Sequence, residues 1–107
     1  MKWTKIEPGG SMPPSGLAVI MACYNREGQP RRLRAMYAAP ITLEHYPDFD
    51  GDNNAVWDEV SDQYYLAAGW YEANEYDEIE WRVDGDVTHW MPLPDWPAMY
   101  NSIKPVR

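Results

Sequence analysis

Hydrophobic and polar positions along this chain alternate over short distances, a pattern that predicts β-strands rather than long helices. Residues 17–24 form an unbroken apolar run, which predicts a central strand covered on both faces. Residues 31–39 alternate and place Arg32, Arg34 and Met36 on one face, which we expect to be basic and at least partly exposed. The short polar segment between the two runs contains Glu-Gly, which is typical of a hairpin loop. The two runs therefore predict an antiparallel pair at the centre of a sheet.

The last apolar stretch, residues 87–94, predicts a further strand. It should end near its first proline, because proline has no backbone donor for a sheet ladder. With residues 78–83 before it, the stretch predicts a hairpin closed by a three-residue loop at residues 84–86. We choose that loop length because it sets Val83 opposite Val87 and keeps the apolar side chains on one face.

The remaining segments are less regular. Residues 3–6 predict a short edge strand, and residues 55–65 fit either a hairpin or a helix. We favour the hairpin, because Val, Trp and Tyr prefer strands. Residues 41–55 are rich in Asp and Asn and predict a mobile acidic segment, whereas residues 101–107 predict a frayed tail. Trp96, between two prolines of the C-terminal region, is expected to anchor the end of the chain against the sheet.

Together these elements predict one domain, residues 1–107, of the mainly β class. We expect a small antiparallel sheet or a partly closed barrel of about five or six short strands, with at most one short helix. An α+β fold is the alternative, because a helix at residues 55–65 stays open. Ten prolines and seven glycines agree with many short segments.

Aromatic and cysteine content refine this prediction. Six Trp and eight Tyr against one Phe predict a shallow core with wet edges, because Trp and Tyr need partners for their polar atoms. The single cysteine, Cys23, excludes an internal disulfide and a cysteine metal site, and its apolar neighbours predict a buried, inert thiol. No apolar segment reaches membrane-spanning length and no signal-peptide pattern opens the chain, so we expect a cytoplasmic protein with no membrane partner.

Charge is distributed unevenly along the chain. The formal net charge is −8, but residues 1–42 carry +4, residues 43–87 carry −13 and residues 88–107 carry +1. Like charges at that density repel unless a partner neutralises them. The asymmetry argues against direct binding to nucleic acid, which needs a basic face, and favours a partner with a basic surface.

Several pieces of the chain resemble a phage and prophage family, the domain of unknown function 551. They are the heptapeptide Thr88-His89-Trp90-Met91-Pro92-Leu93-Pro94, the Trp96-Pro97 that follows it, Trp3, the Pro-rich turn and apolar strand at residues 13–20, and Gly69-Trp70-Tyr71-Glu72. The heptapeptide is the specific signature, and the match is poor over residues 40–63. The resemblance implies an origin in phage or prophage genomes and hence a location in the host cell cytoplasm. It implies no activity.

Candidate chemistry is sparse. Asp48, Asp50, Asp52 and Glu59 occupy oxygen-ligand positions of a twelve-residue calcium loop, but the position that needs glycine is Asn53. We therefore treat them as a weak metal candidate and expect a solvated acidic loop. His89 lies in an apolar strand, which favours a hydrogen-bonded structural role over that of a ligand or general base. No nucleophile motif or phosphate-binding glycine loop is present, so we predict no enzyme activity and no cofactor.

The acidic residues of the middle segment are the most informative candidates. We predict a non-catalytic phage accessory protein that binds a host protein through an acidic, aromatic-rich face, in the manner of a nucleic-acid mimic. Its partner would be a nuclease, a CRISPR-type complex or another nucleic-acid-binding factor. The alternative is an acidic structural or interaction domain with a different partner; a small hydrolase or a calcium-binding module is less favoured. The predicted partner-binding residues are Asp48, Asp50, Asp52, Asp58, Glu59, Asp62, Glu72, Glu75, Asp77, Glu78, Glu80, Asp84 and Asp86.

Overall fold

A computed structural model describes residues 2–8 and 10–94. The described residues form eight β-strands and no helix, which confirms the predicted mainly β class. The strands are β1 (Thr4–Lys5), β2 (Ala18–Tyr24), β3 (Pro30–Ala38), β4 (Ala55–Asp58), β5 (Gln63–Leu66), β6 (Gly69–Ala73), β7 (Ile79–Arg82) and β8 (Asp86–Pro92). The described part of the chain therefore contains no helix that could cross a membrane. Trp96 and the predicted frayed tail lie outside the described residues.

Six strands form one open antiparallel sheet in the order β1-β8-β2-β3-β6-β7. The apolar run predicted to be central is central, since β2 pairs with β8 on one side and β3 on the other. The β2–β3 hairpin is confirmed, with Val19 opposite Ala35 and Tyr24 opposite Pro30. The predicted N-terminal edge strand is confirmed as β1, and the last strand ends at Pro92 as expected.

The predicted hairpin over residues 78–91 is wrong. Strand β7 pairs with β6 at one edge of the sheet, whereas β8 lies between β1 and β2 near the other edge. Val83 is therefore not paired with Val87; its backbone N–H donates to the carbonyl of Trp70 instead. The alternating pattern was correct for both strands, but it cannot show which strand each one pairs with. Burial explains the observed order: β8 contributes Val87 and Trp90 to the core, while every residue of β7 is exposed.

One face of the six-stranded sheet carries the main core. Its buried members come from β2, β3 and β6, and they are Val19, Met21, Cys23, Ala35 and Trp70. The N-terminal loop covers this face: Met12 packs on the cluster, and the indole N–H of Trp90 donates to the carbonyl of Ser11. The segment between β7 and β8 crosses the same face and adds Val83. Burial raises the pKa of the Cys23 thiol, which agrees with the predicted buried thiol.

The opposite face of the sheet is only half covered. Ala18, Ile20 and Ala22 on β2 are half-buried, so the expectation that both faces of this strand are covered is wrong. The predicted basic face of β3 lies here, with Arg32 exposed and Arg34 half-buried. Met36 departs from that prediction because it is buried, opposite Tyr71 of β6. The sheet therefore has one filled face and one face that is closed only at the Met36 end.

A second, smaller core fixes the insertion between β3 and β6. Strands β4 and β5 form the hairpin that we favoured over a helix for residues 55–65. Leu66 at the end of β5 packs with Ala38 and Tyr71 of the main sheet, and Leu43 packs against them. The Tyr71 hydroxyl donates to the carbonyl of Ala67 at 2.7 Å. These contacts attach the two-stranded hairpin to the half-covered face at the end where β3 finishes and β6 begins.

Candidate functional site

The strongest concentration of uncompensated charge lies in residues 44–66, which we call the acidic hairpin. It comprises the loop after β3 together with β4 and β5. It carries seven carboxylates and no Lys or Arg. Backbone bonds hold the loop to β5: the N–H of Leu66 donates to the carbonyl of Leu43, and the N–H of His45 donates to the carbonyl of Tyr64. The acidic hairpin is therefore an ordered unit rather than a loose string of charges.

Aromatic side chains are exposed on the same unit. Tyr64 is packed edge-on by Trp57, with ring centroids 4.9 Å apart, and by Tyr46 at 5.5 Å. Tyr46 is 80% exposed, Phe49 is 65% exposed and Val60 at the hairpin tip is 97% exposed. Exposed apolar surface of this kind, set among carboxylates, is typical of a surface that binds a partner.

Two shallow depressions on the acidic hairpin combine rings with carboxylates. One, of about 500 Å³, is lined by Trp57, Tyr46 and Tyr64 together with Glu44 and Asp62. The other, of about 460 Å³, is lined by Tyr46, Phe49 and Tyr64 with Asp50 and Asp52. An aromatic face next to a carboxylate attracts a guanidinium or ammonium group through both cation–π and Coulomb terms. The geometry suits basic side chains of a partner.

Asp52 is a structural carboxylate within this loop. Its side chain is only 4% exposed, and its oxygens accept the backbone N–H groups of Asn54 and Asp48 and lie 3.2 Å from His45 Nε2. The bond from the Asn54 N–H, then that from the Asp48 N–H, holds the pKa of Asp52 below its ordinary value. Asp52 therefore shapes the loop and is removed from the set of residues available to a partner.

The helix–loop–helix geometry of a calcium-binding loop is absent from the described residues. Residues 55–58, which would lie in the second half of such a loop, form strand β4, and no helix precedes or follows it in the described chain. His45, Asp48 and Asp52 place ligand atoms within 4.8 Å of one another, but neither Asp50 nor Glu59 belongs to this group. The acidic loop instead uses Asp52 to bind its own backbone, which is the physical reason that the Asp spacing imitates a metal motif.

Asp58 is also used internally, at the turn between β4 and β5. The Ser61 hydroxyl donates to its carboxylate at 2.6 Å and the Ser61 N–H donates at 3.0 Å. These two bonds, the hydroxyl first, lower the pKa of Asp58. The predicted residues of the acidic hairpin that remain outward and without such bonds in the described chain are Asp48, Asp50, Glu59 and Asp62.

The other predicted acids lie elsewhere in the fold. Glu72, Glu75, Asp77, Glu78 and Glu80 belong to β6, β7 and the turn between them, whereas Asp84 and Asp86 lie at the start of the path into β8. This turn follows the last residue of β6, while the acidic hairpin precedes its first residue. The thirteen predicted residues thus fall into two groups along the chain, six in the acidic hairpin before β6 and seven in β6 and the segments that follow it.

Arginines neutralise part of the second group. Asp77 pairs with Arg34 and Asp84 with Arg26. Glu72 lies 4.0 Å from Arg31. These acids serve the fold more directly than a partner, because each links the β6–β7 turn or the crossing segment to the β2–β3 hairpin.

Sequence reasoning missed a pocket on the half-covered face of the sheet. It has a volume of about 770 Å³ and is lined chiefly by Trp3, Lys5, Tyr24, Arg32 and His89. In the sequence, only the net positive charge of residues 1–42 and the predicted basic face of β3 pointed to this pocket. The strand order was not predictable, and it is this order that places β1 and β8 on one side of β2 and β3 on the other.

Comparison with known proteins adds a family match. The model of a family described as "Protein of unknown function (DUF551)" matches residues 3–98. No curated protein and no solved structure matches the chain.

Proposed function

The chain belongs to the DUF551 family of proteins of unknown function, and from that premise we propose that it is a non-catalytic phage or prophage accessory protein that binds a host protein through the acidic hairpin. One observation carries the proposal. The 23 residues of this ordered unit combine seven carboxylates, no Lys or Arg, and several exposed rings. Without a partner such a surface destabilises the free protein, because its like charges repel and its apolar groups face water.

The chemistry of the acidic hairpin selects a basic partner. Carboxylates at Asp50, Glu59 and Asp62 attract Lys and Arg, and the rings of Tyr46 and Trp57 offer faces on which a guanidinium can stack. Long-range attraction between opposite charges accelerates encounter and weakens as salt is added. Binding should therefore be fast and salt-sensitive.

The finer proposal is mimicry of nucleic acid. A groove that normally binds nucleic acid offers cations for phosphates and flat surfaces for bases. Carboxylates interleaved with Trp and Tyr present the same two kinds of group on a protein scaffold. A host nuclease, a CRISPR-type complex or another defence factor would provide such a groove in the host cytoplasm.

The second acidic group favours a narrower site than the sequence predicted. Asp77 and Asp84 are paired with arginines, so they contribute to the fold. Glu75, Glu78 and Glu80 surround an edge strand with exposed Tyr76 and Trp81, but in the described chain these rings do not pack into a cluster like that of the acidic hairpin. We therefore assign partner binding to the acidic hairpin and solubility to the second group.

Two triple variants test this assignment. The first, Asp50→Asn with Glu59→Gln and Asp62→Asn, removes three of the seven carboxylates of the acidic hairpin and leaves Asp52 and Asp58 in place. The second, Glu75→Gln with Glu78→Gln and Glu80→Gln, removes the same charge from the other group. Immobilised wild-type protein should capture a basic, nucleic-acid-binding host protein from lysate, and the first variant should lose at least about 90% of that capture while the second retains most of it.

Salt and competition sharpen the result. About 0.5 M NaCl should strongly reduce capture, and duplex DNA should compete with the acidic hairpin for the captured protein. Equal loss in both triple variants would show that only total charge matters. Capture of a partner without a basic groove would contradict the proposal altogether.

A further inference from the structure

The pocket on the half-covered sheet face is built from neighbouring strands in register. Lys5 pairs with His89, His89 with Ala22, and Ala22 with Arg32, so these four residues form one row across β1, β8, β2 and β3. Paired residues in an antiparallel sheet point to the same face. Three strand spacings separate the ends of the row, so the two cations stand about 14 Å apart at their Cα atoms.

Small and large side chains together create the depression. Ala22 supplies only a methyl group at the centre of the row, whereas Trp3, just before β1, and Tyr24, at the end of β2, are large side chains at its rim. Trp3 is 41% exposed and Tyr24 is 49% exposed. The Trp3 ring packs edge-on against His89, with centroids 6.5 Å apart, which fixes its orientation. The floor beside Trp3 is thus open to a flat ligand.

Hydrogen bonding fixes the histidine in that floor. The Thr88 hydroxyl donates to the carbonyl of Ala22 at 3.4 Å, and His89 Nδ1 lies 2.9 Å from the same hydroxyl oxygen. The 2.9 Å contact between His89 Nδ1 and Thr88 Oγ1 orients the imidazole ring. His89 Nε2 makes no hydrogen bond in the described chain and is left for a ligand.

The pocket is positive in an otherwise acidic protein. No carboxylate lines it within the described chain, whereas Lys5 and Arg32 stand in its row. The side chain of Arg31 points to the opposite face of the sheet, as does that of its register partner Cys23. Lys5 lies 4.0 Å from Glu7, at the outer limit of an ion pair and with both partners exposed. Such a pair contributes about 0–1 kcal/mol and leaves the cation available. Arg32 pairs with no carboxylate of the described residues.

From this arrangement we propose a small-molecule site for a nucleotide: a planar heterocycle stacked on Trp3 over Ala22, with its phosphate bound by Arg32. Stacking on aromatic side chains and phosphate contacts from Arg are the two usual means of holding such a ligand. A volume of about 770 Å³ lies within the range of small-molecule sites. The site is separate from the acidic hairpin and does not depend on the function proposed for it.

Charge favours a compact ligand over the other possible occupants. A long single strand would bring many phosphates toward a protein of net charge −8, whereas a mononucleotide brings one phosphate to the positive pocket. Residues 95–107 of the chain carry one acid and two bases, so their charge does not complement the site. The acidic hairpin of a second copy is the remaining anionic candidate, and it would make the protein self-associate.

Calorimetric titration with AMP, GMP, CMP and UMP tests the site in the full-length protein. At least one nucleotide should bind and quench the fluorescence of Trp3, compared with a Trp3→Leu variant. Arg32→Gln should weaken binding at least about tenfold, as expected when a charged hydrogen bond to phosphate is lost. Ala22→Leu should do the same without any change of charge, because its side chain fills the floor.

Arg26→Gln is the matched control, since Arg26 is an exposed cation outside the pocket. It should bind nucleotide within about twofold of wild type, and thermal unfolding should show that all variants are folded. Absence of nucleotide binding to folded wild-type protein at millimolar concentration overturns the proposal. So does equal affinity for inorganic phosphate, affinity that rises with oligonucleotide length, or concentration-dependent dimerisation that Arg32→Gln abolishes.

Discussion

At the scale of single residues, Gly85 has the least room for substitution. A Cβ atom on Gly85 would lie 2.1 Å from the carbonyl oxygen of Tyr24, a distance that the backbone of β2 cannot relieve without moving. The glycine is needed for the close approach of the crossing segment to the end of β2. It is not needed for the three-residue hairpin loop that the sequence predicted at residues 84–86.

We therefore expect Gly85→Ala to lower the free energy of unfolding by about 1–3 kcal/mol, the usual range for overpacking. Urea denaturation followed by Trp fluorescence measures the change. Gly10→Ala is the control, because a Cβ on Gly10 meets nothing within 4 Å, and it should alter stability by less than about 0.5 kcal/mol. A Gly85→Ala protein as stable as wild type would show that the crossing segment does not pass Tyr24 this closely.

The lowered pKa of Asp52 predicts that the stability of the folded protein depends on pH. Its pKa in the folded protein lies below its ordinary value of 3.8, because backbone N–H groups of Asn54 and Asp48 bind the charged carboxylate. A depressed pKa adds stability that is fully present above the unfolded pKa and is lost as pH falls through the folded pKa. Wild type should therefore lose stability on acidification below pH 3.8 more steeply than Asp52→Asn.

Urea denaturation at a series of pH values from about 2 to 6 checks this slope. Asp50→Asn serves as the comparison, because the Asp50 carboxylate accepts no hydrogen bond in the described chain. Its acid slope should match that of wild type. If Asp52→Asn and wild type lose stability in parallel, the buried carboxylate does not organise the loop.

At the scale of elements, the strands of the six-stranded sheet differ in pairing and in burial from the centre to the edge. Strand β2 has ladder partners on both sides and alternates buried side chains, whereas β7 has one partner, a shifted register and no buried residue. Backbone amides in densely packed regions exchange their hydrogens only on global unfolding, whereas amides in regions without packing exchange by local opening. The position of a strand in the sheet should therefore set its exchange rate.

Native-state hydrogen exchange measured by NMR should show the amides of Val19, Met21 and Cys23 as the slowest of the sheet. Amides of β7 should exchange by local opening with a free energy well below that of global unfolding. Strand β1, which also lies at an edge, is the internal comparison and should exchange quickly as well. Equal protection of β2 and β7 would mean that β7 is paired on both sides, as the discarded β7–β8 hairpin requires.

At the scale of the whole molecule, charge separation is the dominant feature. The acidic hairpin carries seven carboxylates without Lys or Arg, while Lys5 and Arg32 stand on the open sheet face. The sheet therefore has a positive pocket on one face and a negative unit at one end. Two ligands of opposite sign can bind without competing for the same residues.

Repulsion within the acidic hairpin predicts that salt stabilises the free protein. Raising NaCl from about 0.01 M to 0.5 M shortens the Debye length from about 30 Å to less than 8 Å and should raise the melting temperature. The triple variant Asp50→Asn, Glu59→Gln and Asp62→Asn should gain less from salt than wild type does. Differential scanning calorimetry measures both, and the triple variant Glu75→Gln, Glu78→Gln and Glu80→Gln is the charge-matched control. A larger loss of the salt effect in that control would place the repulsion in the β6–β7 group instead.

The local pattern of apolar and polar residues predicted where strands form, but it did not predict which strands pair with one another. The apolar run of β2, the alternation of β3, the proline that ends β8 and the β4–β5 hairpin were all predicted correctly. These features depend on side-chain period and on proline chemistry, which act within a few residues. Of the thirteen candidate acids, Asp52, Asp77 and Asp84 are bound within the fold. The partner-binding role of the others stays a prediction.

The amino-acid sequence by itself determined that this protein is a strand-rich domain with a strongly negative middle segment, since backbone period and formal charge are local properties. Tertiary structure alone decided that β8 inserts between β1 and β2, because strand pairing depends on which buried faces can meet across tens of residues. The same long-range pairing brought Trp3, Lys5, Arg32 and His89 together and divided the acids into two groups. Pairing across such distances leaves no periodic trace in the chain, and so the positive pocket became visible only in the folded sheet.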